Sequence, residues 1–292
     1  MKVKGDFSKQ YSLLGDYVLE LQRTNEDTTM KIDLERDYNL RLKDLLGLDG
    51  YFMKGQYPGQ LLLAVAIDVN HGIYHGSYAI VEPENTSSWS WFLTCLGDDL
   101  DLNPMSNFTF ISNRQKGILS AIAQVFPKAE HRFCVRHIYE NFKAQWKGNQ
   151  FTKLVWKCAA ATNVPYFDKQ MGKLKNLDKD AYEYLQKIPS QHWLKSHFSG
   201  RAHCDVLLNN LCEVFNRQLV DGRDVPIITC LEFIREYLVK IIVNVKNVIS
   251  KSPSPLTPAT TKLFEAIKYK PTFYTVLWNG GTKYQASGPY ED

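Results

Sequence analysis

The chain has 292 residues, of which 44% are hydrophobic and 23% are charged, as in an ordinary globular protein of one large domain or two. The longest purely apolar run, residues 61–67, is too short to cross a bilayer, and the first ten residues lack the apolar core of a secretory signal. These features exclude a membrane-spanning protein and argue against a secreted one. The six cysteines include no Cys-x-x-Cys pair, so we expect mostly buried thiols in an intracellular protein.

The first third of the chain predicts three strands and a helix. Residues 1–44 are polar and are expected to form a loosely packed N-terminal extension. The second strand is apolar at nearly every position, which is typical of a strand buried on both faces. We expect Ser87 or Ser88 to cap the helix. The predicted strands span residues 45–52, 60–69 and 73–81, and the helix spans residues 89–96.

A strand at 108–111 comes next, followed by a helix at 117–126, another strand and another helix. The first of these helices has Ile118, Ala121, Ile122 and Val125 on one face. Strands that alternate with helices predict an α/β layer with a largely parallel sheet. In such sheets, sites form beyond the carboxyl ends of the strands. The polar turn Ser112-Asn113-Arg114 is therefore the first candidate for a site.

The remainder of the chain is predicted to be mainly helical. Four successive helices indicate an all-helical insertion, and two further helices follow it. A Ser/Pro/Thr-rich linker then leads to a tail that we expect to form a hairpin at 273–285. The predicted helices span residues 139–146, 152–161, 165–173, 179–187, 209–220 and 225–248. The predicted units are residues 1–44, 45–137, 138–205, 206–250 and 251–292.

The net charge of +4 is unevenly distributed. Residues 114–157 contain nine Lys or Arg residues and two Glu residues, whereas residues 82–101 contain five acidic residues and neither Lys nor Arg. A basic segment beside the candidate site could contact a phosphate backbone. Charge alone favours the simpler interpretation, in which these side chains lie on solvated helix faces.

Several motifs occur in the order found in plant Mutator-like element (MULE) transposases, whose catalytic core residues 45–243 resemble. They include Leu48-Asp49-Gly50, the turn at residues 111–114, Cys134-x-x-His137 and the segment 209–213. The resemblance implies a ribonuclease-H-like mixed sheet with flanking helices, interrupted by an all-helical insertion. It further implies DNA transposition in the nucleus by phosphoryl transfer. Because the family usually has further domains at both ends, we expect a catalytic-core fragment.

The resemblance assigns the catalytic carboxylates to Asp49, position 113 and Glu213, which would hold Mg²⁺ or Mn²⁺. The family usually has Asp at position 113, where this chain has Asn113. An amide brings no charge to offset the repulsion between two divalent cations, so we expect weak metal binding and little strand cleavage. Asp68 is a neighbouring acid that could compensate. Taken alone, Asp49 would be a turn residue and Glu213 a solvated helix residue.

Cys134 and His137 could bind zinc only with at least two further ligands, for which His192, His197, His203 and Cys204 are candidates. Without a second close pair we favour a packing role for both. Trp89 and Trp91 are assigned to the core, and base stacking is the alternative. The expected partners are transposon ends and target DNA, together with other copies of the chain, and no membrane. The candidate DNA-binding residues are Arg114, Lys116, His131, Arg132 and Arg136.

Three hypotheses about function remain open at this point. The first is an active transposase, and the second is a catalytically dead, domesticated nucleic-acid-binding or regulatory protein. The third is a degenerate gene product without a selected role. Asn113 favours the second and third.

Overall fold

A computed structural model describes most of the chain, with gaps. Its continuous segments cover residues 45–54, 58–67, 73–100, 108–200 and 224–251. Shorter described pieces are residues 10, 13–14, 16–17, 20, 102–103, 105, 202, 206–207, 212, 217, 219–222, 261, 264–265, 275–278, 280–281 and 284–287.

The centre of the fold is a five-stranded mixed sheet in the order β3-β2-β1-β4-β5. The first three strands pair antiparallel as a meander, and β4 and β5 continue parallel to β1. With helices between β3 and β4 and between β4 and β5, this is the ribonuclease-H-like arrangement, which confirms the predicted fold class. The strands are β1 (Leu45–Phe52), β2 (Gln60–Ile67), β3 (Ile73–Val81), β4 (Thr109–Ser112) and β5 (Glu130–Phe133).

Both faces of the sheet are covered, because successive side chains of a strand point to opposite sides. On β2, Leu62 and Ala64 pack with the helices on one face, whereas Leu61 and Leu63 pack on the other. Residues 61–66 are all buried, as predicted for a two-sided strand. The first face is covered by α1 (Thr86–Asp99) and α2 (Lys116–Val125), and the second by α7 (Ile227–Ser250).

Helix α1 begins earlier than predicted. Asn85, rather than Ser87 or Ser88, is the N-cap, and its side chain accepts a hydrogen bond from the Ser88 N–H at 2.9 Å. An Asn at this position caps as well as a Ser, so the run of small polar residues left the start of the helix ambiguous. Trp89 is buried, but Trp91 is 55% exposed, so its assignment to the core was wrong.

Four helices follow β5 and form the predicted all-helical insertion. Their apolar faces share one core, which also includes Phe133 of β5. The helical segment is therefore packed onto the edge of the sheet. Its helices are α3 (Val135–Lys143), α4 (Asn149–Ala159), α5 (Val164–Leu177) and α6 (Lys179–Gln186).

A residue of this segment covers part of the edge strand β5. The ring Nδ1 of His192, in a short 3₁₀ turn after α6, donates a hydrogen bond to the backbone oxygen of His131 at 2.5 Å. The His192 ring also stacks on Phe133, with ring centroids 4.6 Å apart.

The remaining predictions have mixed outcomes. The tail forms the predicted hairpin, from β6 (Thr275–Trp278) and β7 (Tyr284–Ser287). The predicted helix at 209–220 and Asp68 lie largely or wholly outside the described residues. Four of the five cysteines in the described part of the chain are buried, and Cys95 is exposed. No helix in that part combines the length and the apolar content needed to cross a membrane.

Candidate functional site

The candidate site lies where β1 and β4 separate. The parallel pairing of the two strands ends at Leu48 and Ser112, and the next residues are Asp49 and Asn113. Asp49 lies within β1, which continues to Phe52, and it pairs with Leu63 of β2. Its side chain is buried, with 4% of its surface exposed. The end of β4 thus brings the polar turn beside a buried carboxylate.

Asn113 and Asp49 are joined directly. Asn113 Nδ2 donates to Asp49 Oδ1 at 3.3 Å, and the same oxygen accepts the Gly50 N–H at 3.1 Å. On the other side of the amide, Asn113 Oδ1 accepts the backbone N–H of Gln115 at 3.0 Å. Gln115 is in turn the N-cap of α2, because its Oε1 accepts the Ile118 N–H at 2.8 Å. A continuous run of hydrogen bonds therefore connects β1 to the start of α2.

A serine and a histidine support the backbone of the turn. Ser112 Oγ donates to the Asn113 carbonyl oxygen at 2.7 Å and lies 2.8 Å from His131 Nε2. Since the serine proton is used for Asn113, His131 Nε2–H is the donor to Ser112. Burial, and secondarily the nearby His192, lowers the pKa of His131 to about 3. His131 is thus neutral at physiological pH, and it cannot supply the positive charge expected of a phosphate ligand.

Glu84 is a carboxylate near the site that the sequence analysis missed. A Cβ at Gly50 would lie 2.5 Å from Glu84 Cδ, and Trp89 Nε1 donates to Glu84 Oε1 at 3.2 Å. Burial raises the pKa of the Glu84 carboxyl, and the hydrogen bond from Trp89 partly offsets this. Because Gly50 follows Asp49 in the strand, Glu84 lies on the opposite face of the sheet from the Asp49 side chain. It therefore does not lie beside the Asp49 and Asn113 side chains.

The other predicted ligands are Glu213, Cys134 and His137. Glu213 lies outside the described residues, although its neighbour Cys212 is buried. Cys134 is also buried, and its N–H donates to the Ser112 carbonyl oxygen at 2.8 Å, which joins the start of α3 to the end of β4. Within the described ranges, no group of three His, Cys, Asp or Glu residues could hold a metal ion. The zinc interpretation of Cys134 and His137 gains no support there.

The candidate DNA-binding residues fall into two groups. Arg114, Lys116 and Arg136 are exposed beside the turn and at the start of α3. Arg132, by contrast, is fully buried: its Nε lies 3.1 Å from Glu130 Oε1, and its guanidinium carbon lies 3.9 Å from the centre of the Phe198 ring. A buried and paired arginine is not placed for a phosphate contact, so only the exposed group suits that role.

The donor set of the described site does not fit a pair of divalent cations. Two Mg²⁺ ions need several charged oxygen ligands, and the described residues of the site offer one carboxylate. One oxygen of that carboxylate already accepts two hydrogen bonds, one of them from the Asn113 amide. An amide N–H that faces a carboxylate occupies a position in which a bridging cation would lie. The described residues can therefore hold the turn together but cannot by themselves supply metal-assisted chemistry.

Part of the chain matches a known family. Residues 45–141, about a third of the chain, match the family model of the MULE transposase domain. This segment contains β1 to β5 and most of α3, with Asp49 and Asn113. No curated protein matches the chain.

Several solved structures are similar at low identity. The HTLV-2 integrase catalytic core domain in complex with magnesium has 15% identity and a TM-score of 0.24, over 47% of this chain and 90% of that one. The catalytic domain of the Mos1 mariner transposase has 11% identity and a TM-score of 0.22, over 70% and 97%. The simian T-cell lymphotropic virus intasome has 13% identity and a TM-score of 0.24, over 55% of this chain and 57% of that one. At such scores the fold assignment rests on the strand order, and residues 45–141 are the part of the chain similar to the MULE transposase domain.

Proposed function

We propose that this chain derives from a MULE-type DNA transposase, an enzyme that cuts and joins DNA by metal-dependent phosphoryl transfer, and that Asn113 has largely disabled it. The observation that carries this proposal is the contact between Asp49 and Asn113 at the separation of β1 and β4, inside the segment that matches the family. Asp49 and position 113 are the first two acids of the ancestral site, and Glu213 is the third. The proposed partners of the chain are DNA and other copies of the chain, in the nucleus.

The loss of activity follows from the charge at the turn. The change from Asp to Asn removes one negative charge and adds an N–H donor aimed at the remaining carboxylate. Cations near each other depend on that charge to offset their repulsion. We therefore expect little or no nicking of DNA by the natural sequence.

A DNA-nicking assay tests this proposal. The natural chain, Asn113→Asp, and the double variant Asn113→Asp with Asp49→Ala would each be incubated with a labelled duplex and Mg²⁺ or Mn²⁺. We expect nicking only from Asn113→Asp. Equal nicking by the natural chain and by Asn113→Asp would show that the amide is tolerated and would overturn the inactivation. If the double variant nicks DNA as well as Asn113→Asp does, the assignment of Asp49 as a catalytic acid is overturned.

A second candidate function is that of a catalytically inactive nucleic-acid-binding or regulatory protein. The specific observation in its favour is that Arg114, Lys116 and Arg136 are exposed beside a site that has an amide, not a carboxylate, at position 113. Phosphate contacts do not need a working metal site, and they weaken steeply with salt. Fluorescence anisotropy with a labelled duplex would measure this. Under this candidate, replacing all three by Ala lowers affinity at least tenfold, whereas Lys240→Ala on α7 has little effect.

A further inference from the structure

We infer that the Asn113 side chain acts as a built-in substitute for a cation, which links β1 to the start of α2 and makes this edge of the sheet stable without metal. The inference rests on the proposed ancestry of the site. It goes beyond loss of activity, because it assigns Asn113 a positive structural role. Its chemistry is that of a neutral crosslink with one donor and one acceptor.

The geometry gives each half of the amide its own partner. The N–H side faces the buried carboxylate of Asp49 on β1, at 3.3 Å. The oxygen side accepts the backbone N–H of Gln115, at 3.0 Å. A hydrogen bond to a charged group is stronger than one between neutral groups, and a buried carboxylate without partners is costly. The amide therefore satisfies hydrogen-bonding groups of Asp49 and Gln115, which are 66 residues apart in the chain.

An aspartate at position 113 could keep only half of this arrangement. One of its oxygens could still accept the Gln115 N–H. The other would place a second negative charge near Asp49, with no donor between them. Two carboxylates in this position attract a cation and repel each other without one. The substitution Asn113→Asp therefore removes the hydrogen bond to Asp49 and can keep the one from Gln115, with almost no change in side-chain volume.

This reasoning predicts a difference in how the two proteins respond to magnesium. A ligand that binds only the folded state stabilises it by RT ln(1 + [L]/Kd), so the unfolding temperature rises with the ligand concentration. The natural chain, whose crosslink is internal, should unfold at the same temperature in EDTA and in 10 mM MgCl₂ at matched ionic strength, to within about 1 °C. In EDTA, the unfolding temperature of the Asn113→Asp chain should lie about 4 °C or more below that of the natural chain. In Mg²⁺ the Asn113→Asp chain should regain most of this difference.

The experiment is thermal unfolding of the full chain, followed by circular dichroism. The variants are Asn113→Asp, Asp49→Asn, the double variant with both changes, and Asn163→Asp as a matched control. Asn163 caps α5 by accepting the Tyr166 N–H at 2.8 Å, a role that Asp fills equally well. The control should show neither a lower unfolding temperature nor a response to Mg²⁺. The double variant should lose the response, because only one carboxylate remains at the pair.

Two results would overturn the inference. One is an unfolding temperature of the natural chain that rises with Mg²⁺ at matched ionic strength and no longer does so in Asp49→Asn. The other is an Asn113→Asp chain as stable as the natural one in EDTA. If Asn113→Asp does not fold without metal, calorimetric titration of the natural chain with MgCl₂ still decides, because saturable heat that Asp49→Asn abolishes contradicts the inference. Unfolding temperatures do not depend on nicking, so this result and that of the nicking assay can fail separately.

Discussion

The guanidinium of Arg132 lies 3.9 Å from the centre of the Phe198 ring, fully buried and paired with Glu130. Phe198 lies in the segment that follows α6, so this contact ties that segment to β5. Removing one partner of a buried ion pair typically costs about 3 kcal/mol.

We therefore predict that Glu130→Ala lowers the free energy of unfolding by about 3 kcal/mol in urea denaturation. Lys179→Ala is the control. Its ion pair with Glu183 spans 3.6 Å between exposed side chains, so its loss should cost less than about 0.5 kcal/mol. Equal effects of the two substitutions would contradict the structural role of Arg132.

Gly50 provides a test of the packing behind the candidate site. A Cβ there would lie 2.5 Å from Glu84 Cδ, so Gly50→Ala must displace a carboxyl group that Trp89 holds. We expect a loss of about 1–3 kcal/mol of folding free energy, typical of overpacking. Adding Glu84→Ala should recover part of it in a double-mutant cycle.

Gly172 is the matched control for that substitution. It lies within α5, and nothing stands within 4 Å of a Cβ placed there. Gly172→Ala should stabilise the chain by up to about 1 kcal/mol, because Ala favours a helix interior. Destabilisation by both substitutions would show that steric displacement of Glu84 is not the cause.

Stability should fall as the pH falls, through His131. Its pKa in the folded chain is about 3, below the ordinary value of about 6.5 in the unfolded chain. Between these values the unfolded state binds a proton that the folded state does not, so stability is full above about pH 6.5 and is lost towards pH 3. From pH 7.5 to 5, the natural chain should lose up to about 2 kcal/mol more than His131→Gln. Parallel urea titrations of both proteins measure this, and equal losses would count against a neutral, half-buried His131.

The described N-terminal residues make specific contacts with α7. The Tyr17 hydroxyl donates to the Glu232 carboxylate, and Gln10 bonds to both the hydroxyl and the backbone N–H of Thr229. The combined variant Tyr17→Phe, Gln10→Ala should therefore be cleaved in its N-terminal region several times faster in limited proteolysis. Ser90→Ala, which removes only an exposed hydrogen bond to Gln124, should leave the rate unchanged. An unchanged rate in the combined variant would mean that these contacts do not hold the segment.

Local patterns were sufficient for the strands and for the approximate site. The bounds of β1 and β3 match the prediction, because apolar and aromatic residues recur through both strands. The exposure of Trp91 could also have been predicted: Trp89, Phe92 and Leu96 share one helical face, and Trp91 falls outside it. That error came from ignoring the helical period.

The contacts of Glu84 with Gly50 and of Arg132 with Phe198 could not be predicted in the same way. Each depends on how two distant elements pack, and no periodicity encodes that. The sequence could indicate that Asn113 follows a strand and lacks charge. It could not indicate that the Asn113 amide would point at Asp49, because that depends on the register between β1 and β4.

The hydrogen bond from His192 to the backbone of His131 has a consequence for solubility. An exposed edge strand offers unpaired backbone groups to the edge of another molecule, and such pairing begins aggregation. On β5 a histidine ring from the helical segment already uses one of these groups and covers Phe133 as well. A shortened chain that ended after β5 would leave that edge open, so we expect it to precipitate or to pair with itself rather than remain a monomeric sheet.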